Sequence, residues 1–378
     1  MALIQYLTHI QFECGAIRWL AQECQRLGIT RPLLVTDPGV KAAGIVQKAL
    51  HALGPLPCTI FDATPSNPTE AAVRAAARLY QQQHCDGLIA VGGGSAIDCA
   101  KGVAIVATHP GPLSDYATIE GGSARITEAV APIIAVPTTS GTGSEVARGA
   151  ILIVEDQRKL GFHSWHLLPK SAICDPELTY GLPAMLTAAT GMDAIAHCME
   201  TYMSSAFNPP ADSIALDGLA RGWAHIERAT RDGKDATARR ELMSASMQGA
   251  MAFQKGLGCV HSLSHSLGGV APHLHHGTLN AIFLPAVLVF NAQAASVHNG
   301  QRLQRMAQAM GLTSASDLVP ALTAMQARLG LPAGLSALGV EHTWFQRIIA
   351  GALQDHCHAT NPRQASAEDY EDMLALSM

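Results

Sequence analysis

Short apolar runs that end in glycine-rich turns and pass straight into helical periodicity recur through the first half of the chain, and they leave few folds open. "PLLVT" (32–36) ends at "DPGV" and continues as "KAAGIVQKALHAL". "DGLIAV" (86–91) enters "GGGSAIDCAKGVAIVA", and "APIIAVP" (131–137) enters "TTSGTGSEVA". Apolar runs without polar alternation suit strands buried on both faces, which means a parallel sheet covered by helices. "GAILIVEDQRKLGFHSW" predicts two strands joined by a polar turn. After "CDPELTYGLPA" (174–184) the texture changes, and Ala, Leu and Met recur at helical spacing in "MLTAATGMDAIAHCMETYM", "ELMSASMQGAMAFQ" and "QRLQRMAQAMG". No strand is expected beyond residue 184. At 378 residues the chain exceeds what one core supports, so the expectation is an α/β domain over 1–181 and an all-α domain over 182–378.

Composition narrows the partners. Hydrophobic residues make up 48% and charged residues 15%, which describes a packed globular protein rather than a disordered one. A net charge of −5 provides neither a basic stripe for nucleic acid nor a polybasic membrane patch. The opening "MALIQYLTHIQFECG" lacks the charged start and long apolar core of a secretory signal. No run approaches the roughly 20 apolar residues that span a bilayer. The nine cysteines are odd in number and never spaced C-x-x-C, so small buried thiols in a reducing, cytoplasmic setting are expected.

Three strand ends deliver turns to one edge of the expected sheet, where ligands of open parallel sheets sit. Gly92, Gly93 and Gly94 would let the backbone approach a pyrophosphate, and a helix opening at Ser95 would offer its free N–H groups and positive dipole end. "TTSGTGSE" supplies a second, hydroxyl-rich turn into a helix. Asp37 follows a strand directly, where a carboxylate can accept from a ribose 2′-OH and repel a 2′-phosphate, favouring NAD over NADP. The pattern is not G-x-G-x-x-G. One such turn is most often a tight connection with an N-cap at Asp37, and only the coincidence of three makes a nucleotide site the even alternative.

"VHSLSHSLGGVAPHLHHG" (260–277) holds five histidines, and "GMDAIAHCMET" places Asp193 and His197 four apart in helical sequence, on one face. A D-x-x-x-H pair alone is usually a helix-surface hydrogen bond. Joined by His261 and by His275 or His276, it would give one carboxylate and three neutral nitrogens, a donor set for a catalytic divalent cation.

These stretches resemble the iron-containing (group III) alcohol dehydrogenase family. "GGGSAIDCAK", "VPTTSGTGSE", "DPELTYGLPAMLTAATGMDAIAHCMET", "GCVHSLSHSLGG", "HHGTLNAIFLP" and "TNPR" follow its motifs in order over nearly the whole chain. Within it, "YLTHIQF", "YATIEGGSARIT" and "GFHSWHLLPKSA" are most similar to 4-hydroxybutyrate dehydrogenases. The resemblance implies a dehydroquinate-synthase-like fold, an N-terminal dinucleotide-binding domain and a helical metal-binding domain. It implies Asp193, His197, His261 and His276 as metal ligands, with His276 chosen over His275 by alignment through "GTLNAIFLP", and His265 as the proton-transfer residue. Gly93, Gly94, Ser95, Thr138 and Thr139 would line the cofactor site, accompanied by Asp98, Lys101 and Lys159. Asn361 and Arg363 of "TNPR" would close the cleft or cap a helix. The implied cofactors are NAD and Fe(II), with Zn(II) an equally compatible Lewis acid. The implied reaction interconverts a primary alcohol and an aldehyde, 4-hydroxybutyrate and succinate semialdehyde first among them. A maleylacetate reductase, a broad primary-alcohol dehydrogenase and, more distantly, a dehydroquinate-synthase-like lyase are the alternatives. Arg148, then His163 and His358, are the expected partners of a substrate carboxylate. A homodimer paired through "YLTHIQFECG" is the family expectation.

Overall fold

The computed structural model describes residue 4 and residues 8–378, so Tyr6 and Leu7 of the expected dimer segment lie outside the described residues. The chain forms two compact units. Among the described residues the first comprises 8–139 and Gly143–Gly181, and the second comprises Ile4, Ser140–Thr142 and Leu182–Met378.

Eight strands are described: β1 (His9–Phe12), β2 (Pro32–Val35), β3 (Thr59–Phe61), β4 (Gly87–Gly92), β5 (Ile133–Pro137), β6 (Gly149–Ile153), β7 (Lys159–His163) and β8 (Ser171–Cys174). Six of them form one parallel sheet in the order β1-β8-β5-β4-β2-β3. Every residue of β2, β4, β5 and β8 is buried. That is why those runs carry no polar alternation: both faces meet apolar side chains. β6 and β7 pair antiparallel, with Gly149 opposite His163, as the polar turn between them predicts.

The connections differ from expectation in two places. The helix after Asp37 breaks at Gly44, whose φ of 75° is left-handed, into α1 (Pro38–Ala42) and α2 (Ile45–Leu53). The hydroxyl-rich turn "TTSGTGSE" does not start a helix. It makes a single 3₁₀ turn, Ser144–Val146, and then β6. The reason lies in α3 (Gly94–Val106), where Lys101 is wholly buried. Its ammonium donates to the carbonyls of Ser144 (2.8 Å), Ala147 (2.9 Å) and Gly149 (2.7 Å) and to the Ser144 hydroxyl (2.8 Å), so carbonyls that a helix would use are already taken. Burial pulls Lys101 down to about 8, but Asp98 and Glu145 oppose this, and the group stays charged at neutral pH. Asp98 completes the brace, accepting from Ser144 Oγ (2.6 Å) and the Ile151 N–H (2.9 Å).

The second unit is helical among its described residues, with no strand after Cys174. Its central helix, α4 (Ala184–Met203), is buried at nearly every position from Thr187 onward. A helix enclosed all round must be rich in small apolar residues, as the Ala, Gly and Met content of this one is. α5 (Pro209–Arg231) and α6 (Ala236–Ala252) pack against it. They are followed by α7 (Cys259–Val270), α8 (His276–Asn291) and α9 (Phe345–Gln354). Among the described residues no helix is long and apolar enough to cross a membrane.

Replacing Lys101 by Met is expected to leave its buried acceptors unpaired and to destabilise the first unit by about 3 kcal/mol. The check is a midpoint of thermal unfolding lower by roughly 5 °C or more; an unchanged midpoint would show that the brace carries no stability.

Candidate metal centre

α4 presents Asp193 and His197 one turn apart and Glu200 a further turn along, all three almost fully buried. α7 contributes His261, and the first residue of α8 is His276. Asp193, His197 and His261 each offer one donor atom within 4.8 Å of the others. Asp193 Oδ1 lies 3.7 Å from His197 Nε2, 3.6 Å from His261 Nε2 and 3.8 Å from His276 Nε2. A tetrahedral ion with ligand bonds near 2.0–2.2 Å separates its donors by about 3.3–3.6 Å, so this cup needs only a few tenths of an ångström of contraction. Of the two candidate histidines, His276 reaches Asp193, whereas His275 is the exposed residue preceding α8.

Two observations show that the cup suits a cation. The side-chain NH₂ of Asn280 points into it, 2.7 Å from Asp193 Oδ1, 3.0 Å from His276 Nε2 and 3.2 Å from His261 Nε2, a partial positive charge shared by three acceptors. The local charges agree. Burial drives the His197 imidazole down to about 4 against the pull of Asp193, so it is neutral, the form that binds metal. Burial works the same way on His261, but Glu200 and Asp193 outweigh it and push that ring up to about 9. Asp193 is held well below the ordinary carboxylate range, its burial overcome by His197, His261 and His276.

Glu200, which the reading of the sequence missed, orients His261. One carboxylate oxygen pairs with His261 Nδ1 and the other accepts the Val260 N–H at 2.8 Å. Holding Nδ1 turns Nε2 toward Asp193, the carboxylate–imidazole support common behind metal ligands. Asn361 Oδ1 accepts the neighbouring Cys259 N–H at 3.1 Å, so "TNPR" caps α7 here. Arg363 stacks on Phe290 (4.0 Å) and pairs with Asp369 (3.2 Å).

His265 lies one turn beyond His261, its ring stacked on that of His276 at 5.3 Å. Its Nδ1 is 3.0 Å from Asp355 Oδ2, a residue no local pattern pointed to. On the far side of the pair the exposed His356 ring stacks on His265 at 5.7 Å. His358 is engaged at both ring nitrogens, by Tyr370 (2.9 Å) and by Gln364.

In the first unit the three turns meet at the ends of β2, β4 and β5. A methyl group built on Gly92 would lie 2.6 Å from Ala96 Cβ and 3.3 Å from Asp37 Oδ2, and one on Gly93 would lie 3.2 Å from Thr139. The Thr138 N–H donates to the Gly92 carbonyl at 3.0 Å. Gly94 and Ser95 open α3, so free N–H groups and the positive dipole end face this junction. Asp37 Oδ1 caps α1 through the Val40 N–H (2.9 Å), which leaves Oδ2 beside Gly92. Lys159 Nζ donates to Asn67 at 3.1 Å. Asp98, expected beside the cofactor, is buried and accepts from Ser144 and Ile151, which braces the loop.

Residues 8–176 match the iron-containing alcohol dehydrogenase family, and residues 187–378 match the C-terminal part of the same family. The chain is 66% identical to a 4-hydroxybutyrate dehydrogenase of Cupriavidus necator, each chain covered over 100% of its length. It superposes on the crystal structure of a 1,3-propanediol oxidoreductase with a TM-score of 0.94, at 36% identity over 100% of both chains. Against a sulfoacetaldehyde reductase of Bifidobacterium kashiwanohense in complex with NAD+ the TM-score is 0.89, at 26% identity, covering 100% of this chain and 99% of that one.

Gly277 sets how closely α8 approaches α4, because a methyl group there would lie 2.3 Å from the Ala189 carbonyl oxygen. Gly277→Ala is expected to push His276 away from Asp193 and to lower bound iron or zinc at least tenfold (about 1.4 kcal/mol) with near-native circular dichroism. Metal analysis of the purified variant decides it, and full occupancy would remove His276 from the donor set.

Proposed function

The chain belongs to the iron-containing alcohol dehydrogenase family and interconverts alcohols and aldehydes with a nicotinamide cofactor, and we propose that its alcohol is a short ω-hydroxy carboxylate, 4-hydroxybutyrate, oxidised to succinate semialdehyde with NAD. The full-length 66% identity to a 4-hydroxybutyrate dehydrogenase carries this reading.

A bound nicotinamide would supply a hydride acceptor for the carbinol carbon, and the hydroxyl proton would pass to solvent. A divalent ion held by Asp193, His197, His261 and His276 supplies Lewis acidity toward the alcohol oxygen, an effect that lowers the pKa of water from about 15.7 to about 7. Iron is the family's metal, and zinc offers the same acidity without a redox change. His265 accepts the hydroxyl proton on Nε2, since Asp355 holds Nδ1 and so fixes which nitrogen is available. Gly92, Gly93, Gly94 and Ser95 take the pyrophosphate on the amino end of α3, with Thr138, Thr139 and Lys159 nearby. Asp37 accepts from the adenosine ribose and repels a 2′-phosphate. Arg148 takes the substrate carboxylate, with His163 beside it, and His358 is left out because both its nitrogens are engaged. The setting is a reducing cytosol, since all nine cysteines are free. β1 lies at the edge of the sheet, where a second copy can continue it as a homodimer.

Assayed after loading with Fe(II) or Zn(II), the enzyme is expected to prefer 4-hydroxybutyrate over butan-1-ol and NAD over NADP, each by at least about tenfold in kcat/KM. Arg148→Met is expected to abolish the first preference and spare the second. Equal rates on both alcohols would sink the hydroxy-acid reading.

His265→Ala is expected to lower kcat by about 10²–10³ while metal content stays normal. Loss of metal alongside activity would make His265 a ligand rather than a proton acceptor.

A further inference from the structure

Arg148 differs from most arginines of this chain. It is half-buried, and burial lowers its pKa. Among the described residues no carboxylate lies within ion-pair distance of it, and its guanidinium donates no hydrogen bond. Its one partner is the face of Trp165, 4.7 Å from the guanidinium carbon to the ring centre. A guanidinium removed from water needs an anion or several acceptors, and an indole face supplies only part of that.

The strand pair explains how the two side chains meet. Gly149 faces His163 in the β6–β7 register, and the Ser164 N–H donates to the Arg148 carbonyl at 3.1 Å, extending the ladder one step. Arg148 and Trp165 therefore flank the same end of the hairpin. The His163 ring fills space that only glycines leave open: a methyl group on Gly149 would lie 2.7 Å from its Cδ2, and one on Gly161 2.9 Å from its Cε1. Thr118 Oγ1 lies 2.9 Å from His163 Nδ1 and accepts the Ser123 hydroxyl at 3.3 Å.

We propose that the end of the β6–β7 hairpin is a preformed carboxylate subsite, in which the Trp165 indole positions the Arg148 fork. It rests on the hydroxy-acid reading above and names the residues that create the specificity. A planar fork fixed by stacking presents two parallel N–H groups, the geometry a carboxylate accepts. A phosphate of the nucleotide is the other anion this fork could hold, and the experiment separates the two sources.

The test compares the metal-loaded wild type with Trp165→Leu and Trp165→Phe on 4-hydroxybutyrate and butan-1-ol, and titrates succinate as an unreactive carboxylate against tryptophan fluorescence. Trp165→Leu is expected to raise KM for 4-hydroxybutyrate about tenfold and to leave kcat and KM for butan-1-ol within twofold. Trp165→Phe should recover most of the loss because an aromatic face remains. Succinate should quench the wild type and not Trp165→Phe. A wild type without preference for the acid overturns the hydroxy-acid reading and this subsite with it. A preference that persists in both variants overturns the subsite alone, as does equal loss on both alcohols. A raised KM for NAD at unchanged KM for the acid assigns the anion to the cofactor and also overturns the proposal.

Discussion

Two carboxylates, Asp193 and Glu200, lie buried on one face of a helix whose other surfaces meet apolar side chains. Burying a carboxylate costs several kcal/mol unless cationic or hydrogen-bonding partners surround it. The second unit satisfies this constraint by bringing histidines from two further helices to the same place. Glu200 takes His261 Nδ1 and a backbone N–H, and Asp193 takes the Asn280 amide within a ring of three imidazole nitrogens. With the imidazoles neutral, Asp193 and Glu200 carry two negative charges, the number that a bound divalent ion would balance. The close approach of α8 to α4 at Gly277 and the capping of α7 by Asn361 both serve this geometry.

The first unit solves a different problem. A loop that is not helical cannot satisfy its carbonyls through helix hydrogen bonds, and Lys101 satisfies them from beneath. The hydroxyl-rich turn is thereby kept extended, and the same brace carries the backbone on into Arg148 and Gly149, where the hairpin begins. A lysine that reads as a solvated helix residue in sequence is thus the support of two neighbouring turns.

Much of this was legible residue by residue. β2, β4, β5 and the β6–β7 hairpin are visible as apolar runs punctuated by glycine or a polar turn, because buried strands exclude polar side chains locally. Asp193 and His197 announce themselves by helical spacing, and the same rule would have found Glu200, three residues after His197, and Asn280, four after His276. Asp355 gives no such signal: it meets His265 across 90 residues of sequence, and no periodicity links them. The burial of Lys101 and Asp98 was illegible for a related reason. A charged side chain in a helix is normally exposed, and only the loop packed over α3 makes these two internal.

Sequence by itself determined the alternation of elements, the strandless second half and the residue types of the donor set, since each depends on local spacing and side-chain chemistry. Tertiary structure alone brought His276 within reach of Asp193, buried Asp98 against Ser144 and Ile151, and set Arg148 on the face of Trp165. Those outcomes depend on which elements approach within a few ångströms, a distance governed by glycine positions and helix packing far apart in the chain.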